Sequence, residues 1–400
     1  MRSFPNLLII LVVLSVVIVS CGDDDPVGPG IPTQPEPLSF FNFHEASAVV
    51  GQVGMTSLDP NASDVLGPQG FDDPQSAGAG TGPFYVPDFE NNRVLGFAGI
   101  PTSNGATATF VLGQPDFTSN GFGTTSGTLR RPFDCTINDG QLFLADFDNN
   151  RVLIWNTLPT GTAPANIVVG QPDFTTSLEE LTRDGLTSPR QVMAARGKLF
   201  VVDGRSRIMI WNSIPTSNGE PADVVVGQSD FTSSTPGLSQ TLLFGPRALW
   251  TDGFRLVVAD GENARVMIWN SIPTENGEPA DVVVGAPDFT TGATNVASST
   301  TLRGVGGVAS DGTSLFVSDS GANRILIFTP FPTTNGAAAV GVIGQDSFTA
   351  DAANDQNQDG ITDTGPTERT LSSPVGIRVQ GNRLLVADSA NNRVLIYTSN

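Results

Sequence analysis

Asp146-Phe147-Asp148-Asn149-Asn150-Arg151-Val152-Leu153-Ile154-Trp155 is the stretch on which the reading of this chain turns. The apolar run Leu142–Ala145 precedes it, so two short strand-like segments flank a polar connection rich in turn-forming Asn and Asp. The pattern recurs along the chain. An Asp ending an apolar run stands at Asp88, Asp146, Asp203, Asp260, Asp319 and Asp388. Five residues later comes Arg93, Arg151, Arg265, Arg324 or Arg393; the third copy is one residue shorter and has Arg207. Four residues beyond each Arg stands an aromatic: Phe97, Trp155, Trp211, Trp269, Phe328 or Tyr397. Such a recurrence marks a repeat architecture rather than several unrelated domains.

A second block, Val-Val-Gly-Gln-Pro-Asp-Phe in its fullest form, follows the first five copies and begins at Val111, Val168, Val225, Val283 and Val342. A further member, Val49-Val50-Gly51-Gln52, lies ahead of all the copies. A large apolar residue follows each Gly: Met55, Phe117, Phe174, Phe231, Phe289 or Phe348. Each unit therefore reads as four short strands. In the third copy these are Gln191–Ala194, Lys198–Val202, Ile208–Trp211 and Asp223–Val226, joined by Arg-Gly, Asp-Gly and Thr-Ser-Asn-Gly turns. The second and third strands are nearly continuous apolar runs, as expected when both sheet faces are covered.

The chain ends directly after a third strand, while its folded part begins with a spare fourth strand, Ala48–Gln52. Pairing the two would complete the last unit and remove the exposed edges. The expectation is an all-β fold: a six-bladed β-propeller of four-stranded antiparallel blades, closed by the N-terminal strand pairing into the last blade.

Asp-x-x-Asn-Asn-Arg-Val-Leu-Ile-Trp, preceded by turns such as Ser373-Pro374-Val375-Gly376, resembles the NHL repeat, in a long-repeat bacterial variety. The resemblance spans roughly residues 46–400. The first copy departs most, over Gly78–Pro83, and the fourth has Ala264 where others carry Asn. Because each copy holds the Asp and Arg, they read as scaffold: a charge-assisted pair across a tight turn fixes the hairpin. The recurring aromatics read as core between blades.

Residues 1–20 carry Arg2 and an apolar run from Leu7 to Val19, too short for a membrane-spanning helix but suited to a signal peptide. The run ends in Ile18-Val19-Ser20-Cys21-Gly22, which resembles a bacterial lipobox with Cys21 as the lipidated residue. Residues 21–40, the lipidated Cys and a Pro/Gly/Asp-rich stretch, read as a disordered tether, and 41–400 as the propeller. The resemblance implies a lipid-anchored protein of the bacterial cell envelope, at the outer membrane, periplasmic or surface-exposed, if the cell is Gram-negative. Lipidation of Cys21 would leave Cys135 without an intramolecular partner, as a small buried apolar residue.

Composition narrows the chemistry. His44 is the sole His and Lys198 the sole Lys, so His-rich zinc sites, Ser-His-Asp triads and lysine Schiff bases lack material. His44 reads as a surface or packing residue. A net charge of −20 argues against nucleic-acid binding. Glu179-Glu180 and Asp72-Asp73 read as solvated loop residues.

The repetition lapses most before the last copy, where the interval lengthens by about ten residues. The added segment holds Asp355, Asn357, Asp359, Gly360, Ile361 and Asp363, spaced as the first nine positions of an EF-hand-like loop. Side chains of Asp355, Asn357 and Asp359, the Ile361 carbonyl and Asp363 are the candidate Ca²⁺ ligands, calcium being the one cofactor expected. The alternative is an acidic solvated loop. Relatives of this type hold proteins, peptides or glycans on a propeller face, which points to a non-enzymatic, monomeric binding or scaffold protein. The rival expectation is a metal-dependent, lactonase-like hydrolase with a carboxylate site at one mouth of the channel. No catalytic residue stands out in the sequence.

Overall fold

The computed structural model describes residues 37–63 and 65–399. The expected signal peptide, the expected lipidation site Cys21 and the expected tether as far as residue 36 lie outside the described residues. Six antiparallel sheets follow one another around a central channel. Blade two comprises Pro132–Asn138, Gln141–Asp146, Arg151–Trp155 and Ile167–Val169. Blade three comprises Gln191–Ala195, Lys198–Asp203, Arg207–Trp211 and Val224–Val226, close to the strands read from the sequence. Blade four holds Pro246–Thr251, Leu256–Asp260, Arg265–Trp269 and Val282–Val284; blade five holds Val305–Ser310, Leu315–Asp319, Arg324–Phe328 and Gly341–Ile343. In each, the first strand lines the channel and the fourth is outermost.

Blade six joins the two ends of the folded chain. Pro374–Gln380, Arg383–Asp388 and Arg393–Thr398 are completed by Ala48–Val50, with Ala48 opposite Ile396, Val49 opposite Leu395 and Val50 opposite Val394. The expected closing strand is therefore in place, and no blade is left with an open outer edge at the seam. Blade one has three named strands, Phe84–Asp88, Arg93–Phe97 and Phe110–Leu112; its inner strand is reduced to isolated bridges, Pro74 to Asp88 and Gly78 to Tyr85. This segment runs close against blade two, and a Cβ on Gly78 would lie 2.6 Å from Cys135 Sγ.

The described residues start at Pro37, and residues 38 and 39 pack against the blades. Leu38 is buried in the junction of blades five and six, and its N–H donates to Asp311 Oδ2 at 2.8 Å. The Ser39 N–H donates to Ser399 Oγ at 2.9 Å. These partners are distant in sequence, so local composition carries no trace of them.

A buried apolar cluster fills each junction between neighbouring blades, as between Phe200, Ile208 and Ile210 of blade three and Leu249, Val258 and Met267 of blade four. Each such side chain contributes about 1.5–3 kcal/mol when fully buried. The recurring aromatics belong to these clusters: Trp211 and Trp269 are 1% exposed, and their indole N–H groups donate to the carbonyls of Glu220 and Glu278. The Gly of Val-Val-Gly is required by shape. Gly227 has φ 87°, and a Cβ there would meet Leu243 Cδ1 at 2.6 Å.

Candidate functional site at the long-loop mouth of the channel

Alternation of strand direction sorts the connections. The Asp-to-Arg turns and the long connections from each outer strand to the next inner strand lie at one end of the channel; the short hairpins lie at the other. Each repeated pair forms the same buried hub. Arg93–Asp88, Arg151–Asp146, Arg207–Asp203, Arg265–Asp260, Arg324–Asp319 and Arg393–Asp388 are ion pairs at 2.7–2.9 Å with side chains wholly buried. In blade four the second Asp260 oxygen accepts the Phe244 N–H at 2.7 Å, from the connection that enters the blade. Arg265 then donates to the carbonyls of Phe289, Ser239 and Leu242 at 2.6, 2.8 and 3.0 Å. Phe289 belongs to the second repeated block, so the Arg ties both blocks of the sequence together. Burial pushes the carboxyls of Asp88, Asp146, Asp203, Asp260 and Asp319 up, opposed by the adjacent guanidinium. Every hub donor and acceptor is engaged with the connections, which leaves the hub a structural element.

A second device joins neighbouring blades. The Asn of the Thr-Ser-Asn-Gly turns accepts a backbone N–H from the outer strand of the preceding blade: Asn218 from Val168, Asn276 from Val225, Asn335 from Val283, and Asn104 from Val49, at 3.0–3.1 Å. Asn42, ahead of the closing strand, does the same for Val342 at 3.1 Å. The sequence shows these residues only as turn formers.

At the long-loop end the inner strands of blades two, four, five and six begin with an irregularity. The pairing passes from Pro132–Asp146 to Asp134–Ala145 in blade two, from Pro246–Asp260 to Ala248–Ala259 in blade four, and from Val305–Asp319 to Gly307–Ser318 in blade five. One extra residue on the inner strand makes a β-bulge and re-aims its side chain. The bulge residues are Phe133, Arg247 and Gly306; blade six has a longer bulge across Val375 and Gly376. Arg190 holds the same place in blade three, its N–H bonded to the Val202 carbonyl at 2.9 Å. With Gln75 of blade one, these residues surround a small cavity at the mouth. The backbone repeats here, but the side chains do not.

The electrostatics of this ring are lopsided. Arg247 pairs with Glu262 at 3.2 Å, while half-buried Arg190 donates only to the Pro246 carbonyl, at 3.3 Å. Among the described residues no carboxylate forms an ion pair with Arg190. Burial, and next to it repulsion from Arg247, lowers the pKa of Arg190 below the usual guanidinium range. On the other side of the mouth Phe133 meets Phe89 and Phe147 at centroid distances of 5.7 and 5.6 Å. Deeper in, Asp134 accepts from Arg378 at 3.3 Å and from the Val192 N–H at 3.2 Å. Arg378 also donates to the Ala77 carbonyl and Thr136 Oγ1, at 2.9 and 3.0 Å, which ties blade six to blades one and two across the channel. Burial raises the Asp134 carboxyl, and Arg378 opposes the rise. At the opposite end a cavity of about 180 Å³ is lined by apolar side chains such as Met193, Trp250 and Ile377 together with the polar Thr136, Gln191 and Arg378.

A larger cleft, about 540 Å³, opens between blades four and five beside Arg247. Two lapses of the repeat fall in the same blade, one of them in the cleft wall. Elsewhere the residue before the hub Arg reaches the next blade: Asn92 accepts the Arg131 N–H, Asn150 that of Ser188, Asn323 that of Ser373, and Asn392 that of Asp73, at 2.8–2.9 Å. Ser206 accepts from Gly245 at 3.4 Å. In blade four the residue is Ala264, which has no acceptor. The Gln after Val-Val-Gly, which as Gln171 donates to the Asn150 and Leu178 carbonyls, is Ala286 in this same blade. The cleft is walled by Glu262, Ala264, Asn295 and Arg303.

Residues 371–397 match the family model of the NHL repeat. The sixth blade is an NHL repeat. No curated protein matches the chain in sequence. Three solved structures are similar in arrangement. A structural genomics protein of unknown function from Bacteroides thetaiotaomicron is 13% identical, with 88% of this chain and 75% of that chain covered and a TM-score of 0.49. The WD40 β-propeller domain of Doa1 is 10% identical, with 91% and 96% covered and a TM-score of 0.47. The computationally designed Ika8 protein is 9% identical, with 88% and 99% covered and a TM-score of 0.42.

The other residues singled out in the sequence take these places in the NHL-repeat propeller. The candidate calcium loop lies on the long-loop end, with Asp355 buried and Ile361 67% exposed. Asp355 accepts the Gly360 and Asp359 N–H groups at 2.8 and 3.2 Å, Asn357 accepts that of Asp359, Asp359 that of Ile361, and Asp363 that of Gln356. These oxygens face the loop's own backbone, and among the described residues no three His, Cys, Asp or Glu side chains gather as a metal-ligand group. Asp134 is the one carboxylate lining the two channel cavities, and Arg378 neutralises it. Cys135 is fully buried, and burial pushes its thiol far up. His44 is buried between Phe40, Phe41 and Tyr397, and burial lowers its pKa. Asp72 and Asp73 are half-buried rather than simply solvated. Burial raises both carboxyls, and Asp73 accepts from Ser389. Glu179 pairs with Arg205 at the surface, at 2.7 Å.

Proposed function

We propose that the propeller is a non-enzymatic, monomeric binding module that presents its long-loop end to a partner in the bacterial cell envelope. One observation carries this reading. Each of the six long connections exposes at least one large apolar side chain: Val65 69% (with Val53 60%), Phe122 70%, Leu178 59%, Phe244 43%, Val296 66% and Ile361 67%. A solvent-facing apolar residue on every connection at one end of a rigid ring is the composition of an interaction face rather than of scattered exposure. The bulged mouth and the cleft beside Ala264 sit within that ring. Loops carry such a surface because the blades beneath hold their ends fixed.

Serine replacements at Phe122, Leu178, Phe244 and Ile361, tested against a partner captured from envelope extracts, check the reading. Loss of capture with an unchanged melting temperature supports it; capture unchanged in every variant refutes it. Anchoring through Cys21 is part of the proposal, and the lipobox-like sequence supports it. Palmitate labelling of the full chain should be lost in Cys21→Ser. Protease shaving of whole cells separates surface display from a periplasmic location. Calcium at Asp355–Asp363 would require the loop to turn its oxygens inward. Calorimetry of the folded chain tests it, heat uptake at millimolar Ca²⁺ that vanishes in Asp355→Asn being the expected result.

A further inference from the structure

We infer that the long-loop mouth recognises a carboxylate side chain of a peptide segment, held between Arg190 and Arg247, with an adjacent aliphatic side chain entering the cleft beside Ala264. The inference rests on the loop-face reading above and names the chemistry of its partner.

The charge at the mouth points to an anion. Glu262 pairs with Arg247 and Arg378 pairs with Asp134, whereas half-buried Arg190 has no ion-pair partner among the described residues and meets the Glu262 carboxylate only at longer range. An arginine fork offers two parallel N–H donors, the geometry that a carboxylate fills. The position is also built rather than incidental. A β-bulge carries Arg247, Arg190 stands at the equivalent place ahead of the blade-three inner strand, and only in blades three and four is the residue at this place an arginine.

The surroundings select the rest of the ligand. The cleft beside Ala264 adjoins Arg247, which lines both cavities. At this junction Ala264, which lines the cleft, stands where other blades carry the Asn or Ser that accepts an N–H from the next blade. Ala264 even holds φ 49°, a left-handed conformation that Asn tolerates better than Ala. Four of the six exposed loop residues, Val65, Leu178, Val296 and Ile361, are aliphatic beside the aromatic Phe122 and Phe244, a mixed apolar face suited to peptide side chains. A polyphosphate backbone is disfavoured by a net charge of −20, while a single carboxylate meets the local positive site at short range.

The test uses the full chain with two capped tripeptides, acetyl-Leu-Glu-Leu-amide and acetyl-Leu-Gln-Leu-amide, and with inorganic phosphate as competitor, read by calorimetry. The Glu peptide should bind about tenfold more tightly than the Gln peptide, the size of one charge-assisted bidentate contact. Arg190→Gln should erase that preference and Arg190→Lys should restore part of it. Ala264→Asn should weaken both peptides while raising the melting temperature, an outcome that a purely structural role for Ala264 would not give. Equal binding of the two peptides, or no binding of either at millimolar concentration, overturns the inference. So does phosphate binding more tightly than the Glu peptide, which would make the mouth a general anion site. Equal binding of the two peptides that Phe122→Ser weakens would leave the loop-face reading standing while the carboxylate assignment falls.

Discussion

The Asp260–Arg265 hub and the Arg190–Arg247 mouth lie at the same end of the propeller, and both are built on an arginine. The hub arginine spends its donors on one carboxylate and three carbonyls, all from the chain, and recurs in every blade. At the mouth Arg190 spends one donor on a carbonyl and has counterparts in Gln75, Phe133, Gly306 and Val375 that share none of its chemistry. A group satisfied by its own fold, six times over, is there to hold the blades. A group left unsatisfied at one position of an otherwise repeating backbone is available to a ligand. Sixfold structure carrying sixfold sequence is scaffold; sixfold structure carrying different side chains is where specificity resides.

The contrast can be broken most forcefully at the hub. Arg265→Gln leaves Asp260 buried without its cation and should cost about 3–5 kcal/mol of stability, read as a shift in the urea midpoint. Peptide or partner binding by the fraction still folded should be unchanged. The clasps between blades come next: Asn335→Ala strands the Val283 N–H and should cost about 1–3 kcal/mol by the same measurement.

The junction of blades four and five offers the reverse test. Ala264→Asn relieves a left-handed alanine and supplies an acceptor toward blade five, so it should gain about 0.5–1 kcal/mol in thermal unfolding. Stability gained together with binding lost would mark the cleft as kept open for a ligand.

The smallest effect concerns the Asp of the second block. The Thr232 and Ser233 hydroxyls and the Thr232 N–H hold the exposed Asp230 carboxyl down at about 2. A depressed native value stabilises above the unfolded value near 4 and is lost as pH falls toward 2, so an NMR titration should show Asp230 ionised well below the ordinary Asp range. Asp230→Asn should flatten that acid limb without touching binding.

Much of this was legible before any coordinates. The apolar runs on either side of Asp146–Arg151 and the spare strand at Ala48 follow from periodicity and from where the two chain ends must meet. The hub was legible as an Asp and Arg in fixed spacing, although its bonds to Phe289-type carbonyls were not, since backbone acceptors leave no mark in sequence. The mouth was hidden. Phe133, Arg190 and Arg247 look like ordinary residues before a strand, and only their equivalent place at the mouth, a property of register and twist, sets them apart. The cleft had half a signal: Ala264 stood out against its Asn counterparts, but its partner lapse, Ala286 for Gln, is informative only once both are seen in one blade. Asn42 and Leu38 were invisible because their partners, Val342 and Asp311, are separated from them by most of the chain.

Equilibrium urea unfolding of Arg190→Gln beside Arg265→Gln tests the central claim most directly. The account predicts that Arg190→Gln stays within about 0.5 kcal/mol of the parent while Arg265→Gln loses several, since only the second strands a buried charge. If Arg190→Gln were as destabilising as Arg265→Gln, the mouth would be scaffold like the hubs, and the division drawn between them would fail.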